Sequence, residues 1–518
     1  MKINIKDTFN KELDADKDLS NSPRQVYNSF FSFVKPKIPS NPKLIHFSEQ
    51  FANEIGLKEY ADSEEFLSVF SGAEALKDTR PYAMCYAGHQ FGNWAGQLGD
   101  GRAINLFEME NDDKHWTLQL KGAGPTPYSR NADGFAVLRS SIREHLCSEA
   151  MHNLGVPTTR SLSLVLSGDQ VLRDVLYNGN PAYEKGAIVC RVAPSFIRFG
   201  NFELFASRKE QVNLKKLTDY TVKHFFPEIS SEGKEKYLQF YKKVGERTLD
   251  MVIDWQRVGF VHGVMNTDNM SILGLTIDFG PYGWLENFDN NWTPNTTDAN
   301  GRRYRFGNQP DIVFWNLVQL ANALYTLIDD LLALQGILDN FSEYFTNKYQ
   351  KMLQSKLGIE ADYDANFQDS LMRNLGSAET DMTIFYRELA NLEKTDSPER
   401  AFEKVEYAFY NLAEITPPIR NNWLIWFDKY LNILKSESKT DLERKEMMNS
   451  INPKYVLRNY MAQLAIDDAD NGNYALIEEF YVLLQKPYDE QQQYQKWYAK
   501  RPDWAREKIG CSMLSCSS

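Results

Sequence analysis

The run His262-Gly-Val-Met-Asn-Thr-Asp268-Asn269, followed by Asp278-Phe-Gly280, sets two amides and two carboxylates close together in the chain. Oxygen donors of this kind suit Mg²⁺, which takes one or two protein groups and completes its octahedron with water and phosphate oxygens. Between them, Met270 to Leu273 and Leu275 to Ile277 read as two short apolar strands around a turn at Gly274. Such a hairpin would bring Asn269 and Asp278 to one rim, as candidate metal ligands. A further carboxylate, Asp268, stands beside Asn269.

The spacing His-x₆-Asn ahead of Asp-Phe-Gly is that of the metal-binding half of a protein-kinase active site. One piece differs. Where the kinase loop His-Arg-Asp carries its catalytic acid, this chain has His262-Gly263-Val264. Upstream, Tyr86 to Arg102 holds five glycines in seventeen positions, among them Gly99 and Gly101. Glycine lets backbone N–H groups approach phosphate oxygens without a Cβ in the way, and Arg102 would add a charge-assisted contact. By itself such a cluster reads as ordinary turns. Here it precedes a strand at Ala103 to Phe107 and a second at Trp116 to Leu120 that ends in Lys121, which is the spacing of a phosphate-binding lysine.

The elements that must position these groups follow in order. A helix is expected from about Val137 to Leu154, with Leu138, Ile142, Leu146, Ala150 and Leu154 on its buried stripe and Glu144 on the other side. Glu144 is either one more solvated acid or the partner that holds Lys121 extended. Strands at Leu162 to Leu166, Gln170 to Leu176 and Gly186 to Val192 complete a small, mostly antiparallel sheet. The last carries Arg191, with Arg198 beyond a Pro-containing turn. Two arginines are surface charges unless they point into a cleft, where they would clamp a terminal phosphate. Residues 1–75 mix short helical patterns (Val26 to Phe33, Phe47 to Ile55, Glu64 to Phe70) with Pro-rich connectors, and are expected to wrap the first lobe. From about residue 211 the pattern is helical, notably Lys234 to Val258, Pro310 to Leu338 and Pro453 to Ala465. Phe279 to Gln309 sits where an activation segment would lie.

The expected fold is therefore α+β and bilobal, protein-kinase-like, with a small mostly antiparallel β N-lobe over 76–210 and a large helical C-lobe over 211–510. At 518 residues the chain exceeds what one core serves. A net charge of −12 with no long Lys/Arg run argues against nucleic acid. The apolar stretch Ala321 to Leu334 is interrupted by Asn322, Asp329 and Asp330, so no membrane span is expected. With no signal-type h-region and five scattered cysteines, the cytoplasm is the expected location. The tail 511–518 places Cys511 and Cys516 at a terminus expected to be mobile, either as redox or tethering thiols or as inert ones.

Assembled, these motifs resemble the selenoprotein O family, pseudokinases that act as protein adenylyltransferases, in a cysteine-containing bacterial-type form. The resemblance covers nearly the whole chain. It rests on Tyr86-Ala-Gly-His-Gln-Phe-Gly, Gly96-Gln-Leu-Gly-Asp-Gly-Arg-Ala, Leu120-Lys-Gly-Ala-Gly, Arg191-Val-Ala-Pro-Ser, His262 to Met270, Ile277-Asp-Phe-Gly-Pro and the terminal Cys-Ser-Ser. It implies a kinase-like fold binding ATP in flipped orientation, with Mg²⁺ or Mn²⁺, and transfer of AMP to Ser, Thr or Tyr hydroxyls of proteins, redox-related ones among them. UMP transfer with Mn²⁺ is a related activity. Carried over by position, Gly99, Gly101, Arg102, Lys121, Asp133, Gly134, Arg191 and Arg198 would bind nucleotide, and Glu144 would pair with Lys121. Asn269 and Asp278 would hold the metal, and Asp268 would be the proton acceptor. Where some relatives carry selenocysteine this chain has Cys516. Phe279 to Gln309 has no cysteine for a disulfide to the tail. A monomer is expected. An atypical kinase or an inactive nucleotide-binding scaffold are the competing readings.

Overall fold

The computed structural model describes residues 1–175, 179–511 and 513–515. Ten strands, with four α-helices before or among them, occupy the chain up to Ala193: β1 (Phe31–Phe33), β2 (Lys43–Phe47), β3 (Tyr82–Met84), β4 (Ala87–Gln90), β5 (Asn93–Gln97), β6 (Ala103–Asn111), β7 (Lys114–Lys121), β8 (Ala136–Val137), β9 (Arg160–Arg173) and β10 (Ala182–Ala193). Eight of them form one sheet in the order β1-β3-β6-β7-β10-β9-β2, with β8 paired to β10, and β4–β5 stand apart as a hairpin. All pairings in the sheet are antiparallel. The molecule is thus mixed α+β, an antiparallel sheet followed by a helical C-terminal part.

Local chemistry accounts for the central strands. Asp112 and Asp113 link β6 to β7, both with positive φ, the geometry of a two-residue hairpin whose twist matches its strands. The β7–β10 register sets Lys121 opposite Val189 and Gln119 opposite Arg191. Side chains alternate along a strand, so Gln119, Lys121 and Arg191 share one face. The Leu138–Asn153 helix packs across that face. Its expected stripe is buried, but so are Glu144, which faces Lys121 and Arg191, Arg143, which donates to the Tyr282 carbonyl, and His145, which meets Ser161 and His46. The C-terminal helices Asn459–Asp470 and Ala475–Leu484 also pack on this helix.

Several expected elements differ. Phe31–Phe33, read as part of a helix, is the edge strand paired with β3, and β2 forms the opposite edge. The two strands expected at 162–176 are one strand, β9, ending at Arg173; Leu176 lies outside the described residues. Met270 to Ile277 is not a hairpin. Its groups pair outward, in single bridges from Ser271 to Arg198 and from Thr276 to Thr158. The helix expected over 310–338 is two, Gln309–Ile328 and Leu331–Leu357, because Asp329 turns left-handed and the Asp330 side chain caps the second helix at the Ala333 N–H. The Pro453 to Ala465 helix begins only at Asn459.

Two apolar clusters flank the sheet. One joins Ile104, Leu118 and Leu120 to Phe51, Phe66 and Phe70 of the N-terminal helices. The other runs through the helical part around Gly233–Val258, against which Gln309–Ile328 and Leu331–Leu357 pack. Phe306–Ile328 is long and apolar enough to cross a membrane, and half of it is buried inside this fold, as in a core helix.

Candidate functional site

A cleft of about 790 Å³ opens between the sheet and the helical part. Its walls include Gly99, Gly101, Arg102, Lys121, Asp133, Gly134, Arg191, Arg198, Asp268, Asn269 and Asp278. Glu144 stands just behind. The floor is a network of charges. Lys121 Nζ lies 2.7 Å from Glu144 Oε2 and 3.6 Å from Asp278 Oδ1. Arg191 Nη1 donates to Glu144 Oε1 at 3.0 Å and to Asp278 Oδ1 at 2.5 Å. Arg198 Nη1 donates to Asp278 Oδ2 and, at 2.8 Å, to the Asp268 carbonyl.

Burial would raise the Asp278 carboxyl, but Arg198, Arg191 and Lys121 outweigh it and hold the group well below the usual carboxylate range. Burial also pushes the Lys121 ammonium down, against the pull of Glu144. Asp278 adopts a left-handed backbone (φ +57°), a conformation that costs a residue with a side chain about 1 kcal/mol or more. The strain aims its carboxylate at three cations.

Asp100 completes the network and was not singled out from the sequence, although it lies inside the Gly-Asp-Gly-Arg run. Buried, it lies 3.7 Å from Arg198 Nη2 and accepts from the Met84 N–H at 2.9 Å. Lys121, Arg191 and Arg198 are thereby matched by Glu144, Asp278 and Asp100. An anion entering this balanced floor must bring a cation or draw the arginines off Asp278.

Asp268 sits on the short 3-10 turn Thr267–Asn269. Burial raises its carboxyl to about 7, with Gln90 and Arg198 opposing. Oδ2 accepts from Gln90 Nε2 at 3.3 Å, and the buried Oδ1 has no partner among the described residues. Val264, at the kinase-type acid position, lines the same cleft. Asn269 Nδ2 donates to the Val264 carbonyl at 3.0 Å, which turns its amide oxygen away. His262 is structural. It stacks on Trp255 and bonds the Ile277 carbonyl at 2.8 Å, tying the start of the loop to the approach to Asp278.

The glycine-rich stretch divides into two jobs. The β4–β5 hairpin lies on the 266–268 loop, with the His89 N–H donating to Thr267 Oγ1 at 2.7 Å and the Phe91 N–H to Asn266 Oδ1 at 3.1 Å. Leu98 to Ala103 runs along the cleft wall, where Tyr86, Gln90 and Phe91 of the same stretch join it. There Gly99 (φ +104°) is demanded by packing, since a Cβ would lie 2.5 Å from the Tyr128 ring. Gly134 (φ +76°) is likewise closed in by the Gly124–Pro125 backbone at 2.3 Å. Asp133 is paired with Arg173 (2.7 Å) at the cleft's outer edge. Tyr128 to Asn131, which the sequence gave no reason to pick, lines the same wall.

The tail is not free at residues 510–511 and 513–515. Cys511 is buried and its thiol is pushed up to about 12, mainly by that burial, which leaves little thiolate. The Leu514 N–H donates to the Pro294 carbonyl at 2.9 Å, and the Leu514 carbonyl accepts from the Thr296 N–H at 2.7 Å. Cys516 lies outside the described residues.

For a divalent cation the residues fit in kind: Asp278, Asn269 and Asp268 line one cleft and carry hard oxygen donors, among which Asp268 Oδ1 is buried beside Gly88 without a partner among the described residues. Among the described residues no group of three or more His, Cys, Asp or Glu is placed to hold a metal ion.

Fold and site together define a mixed α+β chain whose cleft is floored by a Lys–Glu pair, two buried arginines and an Asp–Phe–Gly carboxylate. A family model described as protein adenylyltransferase SelO matches residues 16–486, and the chain belongs to the SelO family. It is 64% identical over 519 residues to the protein nucleotidyltransferase YdiU of Flavobacterium johnsoniae, covering 100% of this chain and 99% of the relative. Proteins of the same name from Aromatoleum aromaticum (53%) and Rhodopirellula baltica (51%) each match over 98% of both chains.

Proposed function

We propose that this cleft binds ATP in flipped orientation in a kinase-like bilobal frame and transfers AMP to Ser, Thr or Tyr hydroxyls of proteins. The reading rests above all on the base position: Val264 stands where a kinase keeps its acid, and the carboxylate is at Asp268. Arg191, Arg198 and Lys121 are more cationic charge than a phosphate-transferring lysine site needs, and suit burial of the β- and γ-phosphates. Their arrival would draw the two guanidiniums off Asp278 and release its oxygens.

Asp278 and Asn269 would then hold Mg²⁺ or Mn²⁺, which when bound supplies charge neutralisation for the phosphates. The acceptor hydroxyl attacks the α-phosphorus while the bond to the bridging oxygen breaks and pyrophosphate leaves. Its proton passes to Asp268. Positioning and charge stabilisation carry most of the rate. UTP in place of ATP would give UMP transfer by the same steps.

The Lys121–Glu144 pair is also what a true kinase uses, so phosphate transfer is the second reading. Intact mass of enzyme and a protein acceptor, after incubation with ATP and Mg²⁺, separates them: an AMP-sized adduct supports this proposal and a phosphate-sized one overturns it. Asp268→Asn keeps the shape and removes the base. Transfer should fall by about 10²–10⁴-fold with nucleotide binding kept. Unchanged transfer would sink the assignment of Asp268.

A further inference from the structure

We infer that the surface beside Asp268 selects acceptor segments carrying Asp and Glu around the modified hydroxyl, an inference that rests on the AMP-transfer reading above. Its basis is the run Gly301-Arg302-Arg303-Tyr304-Arg305, three arginines in four positions of a chain whose net charge is −12. Tyr304 pins the run to the catalytic loop. Its buried hydroxyl donates to Asn266 Oδ1 at 2.6 Å and accepts from the Phe91 N–H at 3.0 Å.

The arginines are held there without acidic partners. The Arg303 guanidinium lies 4.7 Å over the Trp315 ring and against Gly92 at the hairpin tip, where a Cβ would come within 3.3 Å of its Cζ. Arg305 Nη1 donates to the Arg302 carbonyl at 3.0 Å, and Arg302 is exposed. Among the described residues none of the three forms an ion pair. Asp298, the carboxylate that acts on Arg303, is turned inward and accepts the Arg303 and Tyr304 N–H groups at 2.9 and 2.7 Å. Neighbouring acidic charge is also taken, since Glu203 is bonded to His89 Nδ1 at 2.6 Å.

Three unpaired guanidiniums on one fixed turn repel one another, and fold stability gives no reason to gather them. Recognition does. Guanidinium forks bind carboxylates bidentately, and a local positive field on an acidic protein draws an anionic segment to one place. The patch adjoins the reacting centre, because Gln90 on the same hairpin contacts Asp268. Trp94, 43% exposed, flanks His89 and offers the same segment an apolar rest.

The test uses the full-length enzyme with ATP and Mg²⁺ and two peptides of equal length around one Ser, flanked by Asp/Glu or by Asn/Gln. The acidic peptide should show a KM about tenfold lower at low salt, an advantage that high salt removes. In Arg302→Gln/Arg305→Gln that advantage should vanish, with kcat and the KM for ATP unchanged and the neutral peptide unaffected. Equal KM for both peptides, or a variant that harms both alike, overturns the inference. Fluorescence anisotropy of the labelled acidic peptide reads docking without transfer. Binding lost in the variant, with no peptide adenylylated, would uphold the surface and defeat the AMP-transfer reading. Tighter binding of a single-stranded RNA of equal charge would overturn the choice of an acidic protein segment.

Discussion

At the scale of single residues, the cleft sets charged side chains beside glycines that make room. Gly99 lines the wall where phosphate contact was expected, yet its left-handed backbone and the Tyr128 ring 2.5 Å from a would-be Cβ are reason enough for a glycine. Gly96, also at positive φ, has no atom within 4 Å of its would-be Cβ. Gly99→Ala is therefore expected to cost roughly 3 kcal/mol by strain and overpacking together, and Gly96→Ala only about 1 kcal/mol. Denaturant unfolding of the two variants measures the difference. Equal costs would return Gly99 to a purely ligand-facing role. The charged residues obey a different rule. Glu144 belongs to a matched set of three cations and three anions, so its removal leaves Lys121 and Arg191 buried with half their partners, a loss that typically costs several kcal/mol.

At the scale of elements, the segment after Asp278 is held by the C-terminal arm. Glu286 lies 3.4 Å from Arg501 Nη1, its other carboxylate oxygen has no partner, and burial raises its carboxyl to about 7. The folded protein thus holds this proton more tightly than the unfolded chain, where a Glu titrates near 4.3. Its contribution is fully present below that value and is lost as pH rises toward and through 7, by up to roughly 3 kcal/mol. Glu286→Gln should therefore gain stability relative to the wild type at pH 8 and not at pH 4.5, read as unfolding free energy at the two pH values. A difference that does not change with pH would show that Arg501 keeps the group ionised.

At the scale of the molecule, both ends of the chain fasten elements distant in sequence. β1 and β2 close the two edges of the sheet, and residues 501–515 grip 286–296 through Arg501 and Leu514. Ending the chain at Lys500 is expected to speed hydrogen exchange across 286–296 and to lower Tm by on the order of 5 °C; unaltered exchange there would mean that the arm is only attached. The sequence by itself put forward the candidates: Lys121, Asn269 and Asp278 from residue type and spacing, Arg191 as one of two arginines after a core strand, and the role of Asp268 from the family resemblance. The structure lines one cleft with all five. The Leu138–Asn153 helix was legible because an apolar period survives in one dimension. Tertiary structure decided the rest. Whether Phe31–Phe33 is strand or helix depends on a partner about fifty residues away, and Met270 to Ile277 bonds outward because Arg198 and Thr158 lie beside it. Asp100, the Arg191–Asp278 pair and the unpaired arginines at 302–305 are facts of charge neutralisation, which depends on distance in space and leaves no period in the chain.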